Sequence, residues 1–379
     1  MGASANGVYR NSSRRARFVA LFNDLGAGAV STYARGKGAA TFTRATVAWT
    51  KLASGLWAEV ASGTARSCYL GATTAVGAYG GYFAEGAATQ LVTPTASIRD
   101  MTDASWVKVT MTAAKNATGI DGVASSATTL TATGASSTIL QTLVAAASSR
   151  TYSCFMRRKT GTGTILIAQG ATTEDVTSQL NSTTYTRVDL TASILNAAIG
   201  IQINTSGDEV EVDFNQFEAD AIATSPMASA GAARNADVLS YPSTGNYSNT
   251  AGTAYVEVTF SGGSGKPRII TDSSTGDGPL LSNATASMKT EMFDGATEII
   301  VANTGALGIT HKAAASWGGV VGSVILNGGT IVSGVYDGSM ITNNINICSY
   351  SGSQYYGFSR NAHIWLRTLP DAVSQVMTT

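Results

Sequence analysis

Three carboxylates at alternate positions of one strand-like run are the first candidates for chemistry. Glu209, Glu211 and Asp213 alternate with apolar residues, so in an extended chain they share one face, with about 7 Å between successive members. Such a set can bind Ca²⁺ with the help of loop carbonyls, and a carboxylate pair can hydrolyse a glycosidic bond. The alternative interpretation is the solvated face of a half-buried strand.

Aromatic and amide side chains in the C-terminal third predict contact with a glycan. Aromatic rings stack on the apolar face of a pyranose, while Asn and Asp side chains bind its hydroxyl groups. The segment 337–346 is the expected rim of this site, because binding residues concentrate on loops. Two alternatives remain open, since Trp365 suits strand packing and the pair Tyr355 and Tyr356 suits a subunit contact. The candidates are Trp317, Tyr336, Asp337, Asn343, Asn344, Tyr355, Tyr356 and Trp365.

Other catalytic patterns are missing from the sequence. His311 and His363 have no Ser and Asp partners at motif spacing, and no GxSxG occurs. The glycine-rich segment 262–267 does not fit a phosphate-binding loop, because Pro267 follows its lysine. Three distant cysteines and two histidines give no zinc spacing. We therefore predict a protein that is not an enzyme and needs no cofactor, unless Ca²⁺ binds the acidic strand.

The composition limits the class of protein. The 379 residues are 44% apolar and only 13% charged, with a net charge of zero. A chain of this length is expected to form two or three domains, because single cores rarely grow so large. Neutrality argues against nucleic acid as a partner, and no apolar run approaches the roughly 20 residues of a membrane span.

The first 37 residues are basic and predict an extended docking arm. Arg14, Arg15 and Arg17 precede an apolar run that includes Phe18 and Phe22. A free basic tail does not need these apolar residues, so we expect the arm to be held by a neighbouring protein. A solvated tail is the alternative.

Alternating patterns predict an all-β protein. A short β-segment or connector is expected over 38–80, and period-two runs then predict a two-sheet sandwich over 81–240. A second sandwich is expected over 241–379, and a short helix near the C-terminus. Hairpin turns are expected at Asp294-Gly295, Asn327-Gly328 and Asp337-Gly338, where positive φ matches strand twist.

Three short motifs in this order resemble those of modular phage fibre and virion structural proteins. Ala-Thr-Phe-Thr-Arg-Ala-Thr at 40–46 is similar to the opening "ATFTRAS" of that family, and Phe-Ala-Glu-Gly-Ala-Ala-Thr-Gln-Leu at 83–91 to its "LLEGARTNLL" segment, which leads to a Trp, here Trp106. Gln-Phe-Glu at 216–218 and Ala-Arg-Asn-Ala-Asp-Val-Leu at 233–239 are similar to its "AQLE … TRAADV" exit. The segment 357–372 resembles the last strand and turn of laminin-G-like sandwiches in such proteins.

The resemblance implies a galactose-binding-like jelly roll followed by a concanavalin A-like sandwich. It also implies a virion location, other virion proteins of the tail, baseplate or capsid as partners, and a homo-oligomer, in this family a trimer. On this basis we expect a fibre or spike-like component that contacts host glycans. The alternatives are a capsid decoration or head-fibre protein, and a glycan depolymerase that uses the acidic strand.

Overall fold

Antiparallel strands form nearly all of the regular structure in the computed structural model. The structure describes residues 18–24, 30–34, 38–69, 79–219, 221–231, 233–262, 268–282, 288–295, 298–305, 308–350 and 356–379. Within these residues one α-helix and two short 3-10 helices accompany thirty strands. The predicted all-β fold of two consecutive antiparallel sandwiches is confirmed.

The first eight strands lie within residues 18–89. They are β1 (Phe18–Asp24), β2 (Val30–Ala34), β3 (Thr41–Thr43), β4 (Ala48–Lys51), β5 (Trp57–Val60), β6 (Arg66–Tyr69), β7 (Tyr79–Ala84) and β8 (Ala88–Thr89).

Ten strands build the first sandwich. They are β9 (Val107–Val109), β10 (Met111–Ala117), β11 (Ala127–Ala132), β12 (Ser137–Thr142), β13 (Ser149–Thr160), β14 (Ile165–Gln169), β15 (Thr172–Asp175), β16 (Thr186–Ser193), β17 (Ala198–Ile203) and β18 (Glu209–Glu218). The 3-10 helices are Thr95–Ile98 and Thr177–Gln179.

The remaining strands are β19 (Ala233–Arg234), β20 (Val238–Tyr241), β21 (Ala251–Gly262), β22 (Arg268–Asp272), β23 (Gly278–Ser282), β24 (Met288–Phe293), β25 (Glu298–Gly305), β26 (Thr310–Gly318), β27 (Val321–Leu326), β28 (Val332–Val335), β29 (Ile345–Ile347) and β30 (Tyr356–Trp365). Helix α1 (Asp371–Thr378) follows them.

The first sandwich packs two five-stranded sheets, in the orders β10-β11-β18-β13-β16 and β15-β14-β17-β12-β9. Alternate residues of each strand point inward and fill one core, as the period-two pattern predicts; Val210 and Val212 of β18 and Ile199 and Ile201 of β17 are examples. The charged positions between them therefore face outward.

The second sandwich packs a nine-stranded sheet against a seven-stranded one. The larger sheet has the order β2-β1-β30-β21-β26-β27-β28, with β7 also pairing β30 and β6 pairing β7; the smaller has the order β25-β24-β23-β22-β29-β20-β3. Helix α1 covers the outer face of the larger sheet, where Met377 joins Tyr255, Ile325 and Trp365 in a small separate core. Both faces of this sheet are therefore partly covered by protein.

Segment 38–80 does not form the separate connector that we predicted. Strand β3 extends the smaller sheet of the second sandwich, and β6 and β7 extend its larger sheet. The hairpin β4–β5 instead places Trp49 and Trp57 against the core of the first sandwich. Segment 38–80 therefore belongs to both sandwiches. It supplies strands to the second sandwich and apolar side chains to the core of the first.

The N-terminal segment is likewise not an extended arm where the structure describes it. Strand β1 pairs with β2 in a hairpin and with β30 of the larger sheet, with Phe18 opposite Ile364 and Ala20 opposite Ala362. The apolar run of the predicted arm thus adds two strands to the second sandwich of its own chain.

Two of the three predicted hairpin turns are confirmed. Asp294-Gly295 joins the paired strands β24 and β25, and Asn327-Gly328 joins β27 and β28 with positive φ at both turn residues. The third prediction is wrong, because Asp337-Gly338 lies in a long loop that leaves β28 of the larger sheet for β29 of the smaller one.

Candidate functional site

Two loops meet at one end of the second sandwich and form the candidate site, which we call the rim. One loop, 273–277, joins β22 to β23, and the other, 336–344, joins β28 to β29. Asp272 lies between them and is buried. Its carboxylate accepts hydrogen bonds from the backbone N–H groups of Ser274 (2.7 Å), Thr342 (2.8 Å) and Asn343 (2.7 Å). One side chain thus holds both loops.

The Asp272 clamp stays charged at ordinary pH. Burial by itself would raise the pKa of this carboxyl, but the backbone N–H groups of Ser274, Asn343 and Thr342 lower it strongly. Charge-assisted hydrogen bonds are stronger than hydrogen bonds between neutral groups, so these three contacts fix the backbone of the rim before a ligand binds.

Asn249 fixes the middle of the longer loop. Its side-chain Oδ1 accepts hydrogen bonds from the backbone N–H groups of Met340 (3.0 Å) and Ile341 (3.1 Å), and its Nδ2 donates to the carbonyl of Ile341 (2.9 Å). The hydroxyl of Tyr336 donates to the backbone carbonyl of Asn249 (2.7 Å). The loop is therefore tied down between its two ends.

The rim exposes a short row of polar side chains. Asp337, Thr342, Asn343 and Asn344 are all exposed. The amide of Asn343 donates to Ser274 Oγ at 2.7 Å, and the backbone N–H of Asp337 donates to the buried carboxylate of Asp294 at 3.0 Å. This arrangement offers carboxylate and amide groups at fixed positions, which suits a ligand rich in hydroxyl groups.

Tyr350 is the aromatic side chain beside the rim, and the sequence pattern did not single it out. It is half-buried, and its hydroxyl donates to the carbonyl of Ser274 at 3.0 Å. The guanidinium of Arg268 lies 5.6 Å from the centre of its ring. A single tyrosine outside any strand pattern gives no periodic signal, so only the fold reveals its position.

Three of the aromatic candidates do not reach the surface, and for Trp365 the structure agrees with the packing alternative. Trp317 is fully buried, donates from Nε1 to the carbonyl of Ser248, and stacks on Tyr247. Tyr336 and Trp365 are also buried. All three are packing residues. Tyr355 lies outside the described residues, and Tyr356 begins β30 with a side chain that the structure does not describe.

The acidic strand shows no shared metal site. Glu211 pairs with Arg157, and Glu209 accepts from Thr131 Oγ1 (2.7 Å) and lies 3.3 Å from Lys159. Each carboxylate thus has its own partners. Across the described part of the chain, no group of three or more His, Cys, Asp or Glu side chains is placed to hold a metal ion.

Asp213 has the most buried of the three carboxylates. Arg99 binds both of its oxygens, at 2.8 and 2.9 Å, and also reaches Asp121 at 2.7 Å. Burial raises the pKa of Asp213, although the hydrogen bonds and charge of Arg99 oppose this shift. The guanidinium group of Arg99 therefore occupies the position between two carboxylates that a bound Ca²⁺ would need, and it connects β18 to the loop that carries Asp121.

The motifs that carried the family resemblance converge on one buried ion network, which we call the joint. Arg66 pairs with Glu85 (2.8 Å) and with Asp237, Arg44 pairs with Asp237 (2.7 Å), and Arg234 pairs with Glu85. All five residues are buried. The joint therefore links the first, second and third motifs where the two sandwiches meet.

Glu85 remains ionised within the joint. Burial alone would raise the pKa of its carboxyl, but the guanidinium groups of Arg234 and Arg66, with hydrogen bonds from Ser225, lower it to about 2. This buried network of two carboxylates and three guanidinium groups packs and orients the segments it joins and is not an exposed binding surface.

The residues predicted for docking are only partly described. Arg14, Arg15 and Arg17 lie outside the described residues, while Phe18 and Phe22 lie in β1. No helix in the described part of the chain is long and apolar enough to cross a membrane.

Comparisons with known proteins give structural likenesses alone. No protein-family model and no curated protein matches the sequence. A carbohydrate-binding module, CBM40 of Ruminococcus gnavus IT-sialidase, bound to α2,3 sialyllactose, is 11% identical over 34% of this chain and 82% of its own, with a TM-score of 0.28. Domain 4 of AbnA, an extracellular arabinanase of Geobacillus stearothermophilus in complex with arabinotriose, is 9% identical over 38% of this chain and 73% of its own, with a TM-score of 0.30. The tandem CBM22 domain of Paenibacillus barcinonensis Xyn10C is 7% identical over 74% of this chain and 99% of its own, with a TM-score of 0.28. These neighbours are carbohydrate-binding modules or enzyme domains, and none is a phage protein.

Proposed function

We propose that the chain is a non-enzymatic structural protein of a phage particle, a fibre or spike-like component that contacts host glycans through the rim. The observation that carries the glycan contact is the rigid rim, where Asp272 and Asn249 fix the backbone and leave Asp337, Asn343 and Asn344 exposed. A pre-organised loop loses less entropy on binding, which favours recognition of a weakly bound, hydroxyl-rich ligand.

The state of the acidic strand supports a binding role over a depolymerase. A general acid in glycoside hydrolysis needs a raised pKa. The hydrogen bond from Thr131 instead lowers the pKa of Glu209, and Glu211 is held by Arg157. Burial raises the pKa of Asp213, but this carboxylate is buried and Arg99 binds both of its oxygens. These carboxylates act as partners of basic side chains on the sheet face.

The particle role is supported by the family resemblance, and in particular by the joint that its motifs build. We propose other virion proteins as partners, the virion as location and a trimer as assembly. The capsid decoration or head-fibre role shares every feature described above and is the alternative within this proposal.

Attachment through the N-terminus is part of this proposal. Because β1 and β2 belong to the larger sheet, deletion of residues 1–17 is a sharper test than deletion of the whole basic segment. The shorter deletion should preserve folding by circular dichroism and abolish incorporation into particles. Normal incorporation of this truncated chain would refute attachment through the basic segment.

Glycan binding can be tested with an array of bacterial surface glycans, followed by titration calorimetry with the best binder. The variant Asn344→Ala should weaken binding by about threefold to tenfold, the range expected for one neutral hydrogen bond. Asp337→Asn should weaken it by about tenfold or more, because it replaces a charged acceptor. Asn235→Ala is the matched control, because Asn235 is also exposed but lies outside the rim.

The titration has clear contrary results. If no glycan on the array binds, or if Asn235→Ala weakens binding as much as the two rim variants do, the rim does not have this function. If both rim variants bind the glycan as tightly as the wild type does, the glycan-binding site lies elsewhere on the molecule.

A further inference from the structure

The outer face of the smaller sheet continues directly from the rim. Ile345 and Ile347 of β29 point into the second core, so Asn346 between them points outward. The backbone N–H of Ser273 donates to the carbonyl of Asn344 at 2.9 Å, which continues the pairing of β22 and β29 into the rim. Asn344 therefore shares the face of Asn346, and the polar side chains of the rim extend onto the sheet.

A row of small polar residues crosses this face. Asn346 is opposite Thr271 of β22 and Ser240 of β20, and Ser240 is opposite Thr41 of β3. Opposite residues of paired strands share a face, so all four point outward. The row spans three strand intervals, which makes it about 14 Å long, and this exceeds the length of a single sugar ring.

The row carries hydroxyl and amide groups and no charge. Strands β3, β20 and β29 contain no charged residue. On β22, Asp272 is buried and bound by the backbone of the rim, and Arg268 lies at the far end against the ring of Tyr350. The rim adds the carboxylates of Asp277 and Asp337, which would repel an acidic sugar. These surroundings favour a neutral ligand.

Two side chains form the floor of the row and have polar atoms without a partner. Thr271 is 0% exposed and Asn346 is 4% exposed. In the part of the chain that the structure describes, neither Thr271 Oγ1 nor Asn346 Oδ1 makes a hydrogen bond. Buried polar groups of native proteins nearly always have a partner, so this pair points to a bound group. A sugar hydroxyl can donate to Asn346 Oδ1 and accept from the hydroxyl of Thr271.

We propose that the rim binds an uncharged glycan of several sugar units, whose chain continues from Asn344 over Asn346 and Ser240 to Thr41. Asn344 and Thr41 are exposed and Ser240 is half-buried, so the row is open to solvent on both sides of its floor. The inference rests on the proposed glycan binding at the rim, and it adds the class of the glycan and the path of its chain.

Length and charge of the glycan can be tested by titration calorimetry of the full chain. The probes are neutral and uronate-containing oligosaccharides of one, two and four sugar units, prepared from the bacterial surface glycans of the array. In the neutral series the affinity should rise about tenfold or more from the monosaccharide to the tetrasaccharide, because each added unit meets further polar groups of the row. Binding that requires a uronate, or that does not increase with length, overturns the inference and leaves the rim as the site.

The variant Ser240→Leu tests the path of the chain. Its larger side chain blocks the middle of the row, so the neutral tetrasaccharide should bind about tenfold more weakly and no more tightly than the monosaccharide. Ser333→Leu is the matched control, because Ser333 is exposed on β28 of the larger sheet, and it should bind the tetrasaccharide as the wild type does. Circular dichroism confirms that both variants fold.

The variant Asn346→Leu separates a binding role from a packing role. Leucine has a similar shape and removes the unpartnered oxygen, so the free protein should melt at the same or a higher temperature, while the tetrasaccharide should bind about threefold more weakly or worse. Unchanged tetrasaccharide affinity in Asn346→Leu, or equal affinities in Ser240→Leu and Ser333→Leu, overturns the inference. If Asn344→Ala still weakens binding in that case, the proposed function stands; if no glycan binds at all, both fail together.

Discussion

Replacing Glu85 by glutamine tests whether the joint holds the molecule together. Glu85 accepts from Arg66 at 2.8 Å and also pairs with Arg234, and it is fully enclosed. Glutamine keeps the shape but removes the negative charge, so the buried guanidinium group of Arg234 loses its carboxylate partner and that of Arg66 keeps only Asp237. Breaking a buried ion pair in this way costs about 3–5 kcal/mol.

The pKa of Glu85 gives an independent magnitude. The shift from the ordinary value of 4.5 to about 2 corresponds to roughly 3 kcal/mol of stabilisation. Because the folded pKa is lowered, this contribution is present in full above pH 4.5 and is lost as the pH falls towards 2. The stability difference between wild type and Glu85→Gln should therefore be largest near pH 7 and should shrink below pH 4.5.

Urea unfolding followed by tryptophan fluorescence and by circular dichroism measures this difference. Glu59→Gln is the matched control, since Glu59 is exposed and lies in the preceding segment 38–80; it should change stability by less than about 0.5 kcal/mol. A loss below about 1 kcal/mol for Glu85→Gln, or a difference that stays constant from pH 7 to pH 3, would refute the reasoning.

Three further predictions concern single buried groups. Burial lowers the pKa of His363 to about 4 from its ordinary value of 6.5, so unfolding free energy should fall by up to about 3 kcal/mol as the pH drops from 6.5 to 4. Urea titrations should show this slope in the wild type and lose it in His363→Gln. Asp272→Asn should loosen the rim, so that amides of segment 336–344 exchange faster with solvent while the sandwich cores keep their protection; unchanged exchange there would contradict the clamp. Arg99→Met should destabilise the chain by about 2–4 kcal/mol, because it leaves the buried Asp213 carboxylate without its cation. Added Ca²⁺ should not restore the melting temperature of this variant. Full rescue by Ca²⁺ would show that the carboxylates can form a metal site.

The two sandwiches could be predicted from sequence because their strands alternate clearly. In β18 the residues Val210 and Val212 alternate with Glu209 and Glu211, and the structure buries the valines and leaves the acids on the outer face. Turn chemistry was equally informative at Asn327-Gly328, where both residues adopt positive φ. Local pattern and tertiary environment agree at these positions.

The position of Trp317 could not be predicted in this way. It follows Ala313, Ala314 and Ala315, a run without polar alternation, so the sequence does not show which side of β26 faces the core. Moreover, α1 covers the outer face of this sheet, and a strand covered on both sides loses its alternating signal. The aromatic side chain was therefore assigned to the surface although it packs inside.

The joint was missed for a different reason. Arg44, Glu85 and Asp237 were noticed as parts of separate motifs, but their pairing joins positions far apart in the chain. Charge patterns along a sequence report near neighbours on one element, and they carry no information on which distant charges meet. The same limit applies to the sharing of segment 38–80 between the sandwiches.

The sharing of this segment makes the chain hard to divide. A fragment that began at residue 241 would lack β3, β6, β7 and β20, which supply strands to both sheets of the second sandwich. Its truncated sheets would present bare backbone edges and uncovered apolar side chains, and such fragments tend to aggregate. For expression, domain exchange or recombination between related genes, the transferable unit is thus the whole stretch from β1 to the C-terminal helix, and not either sandwich by itself.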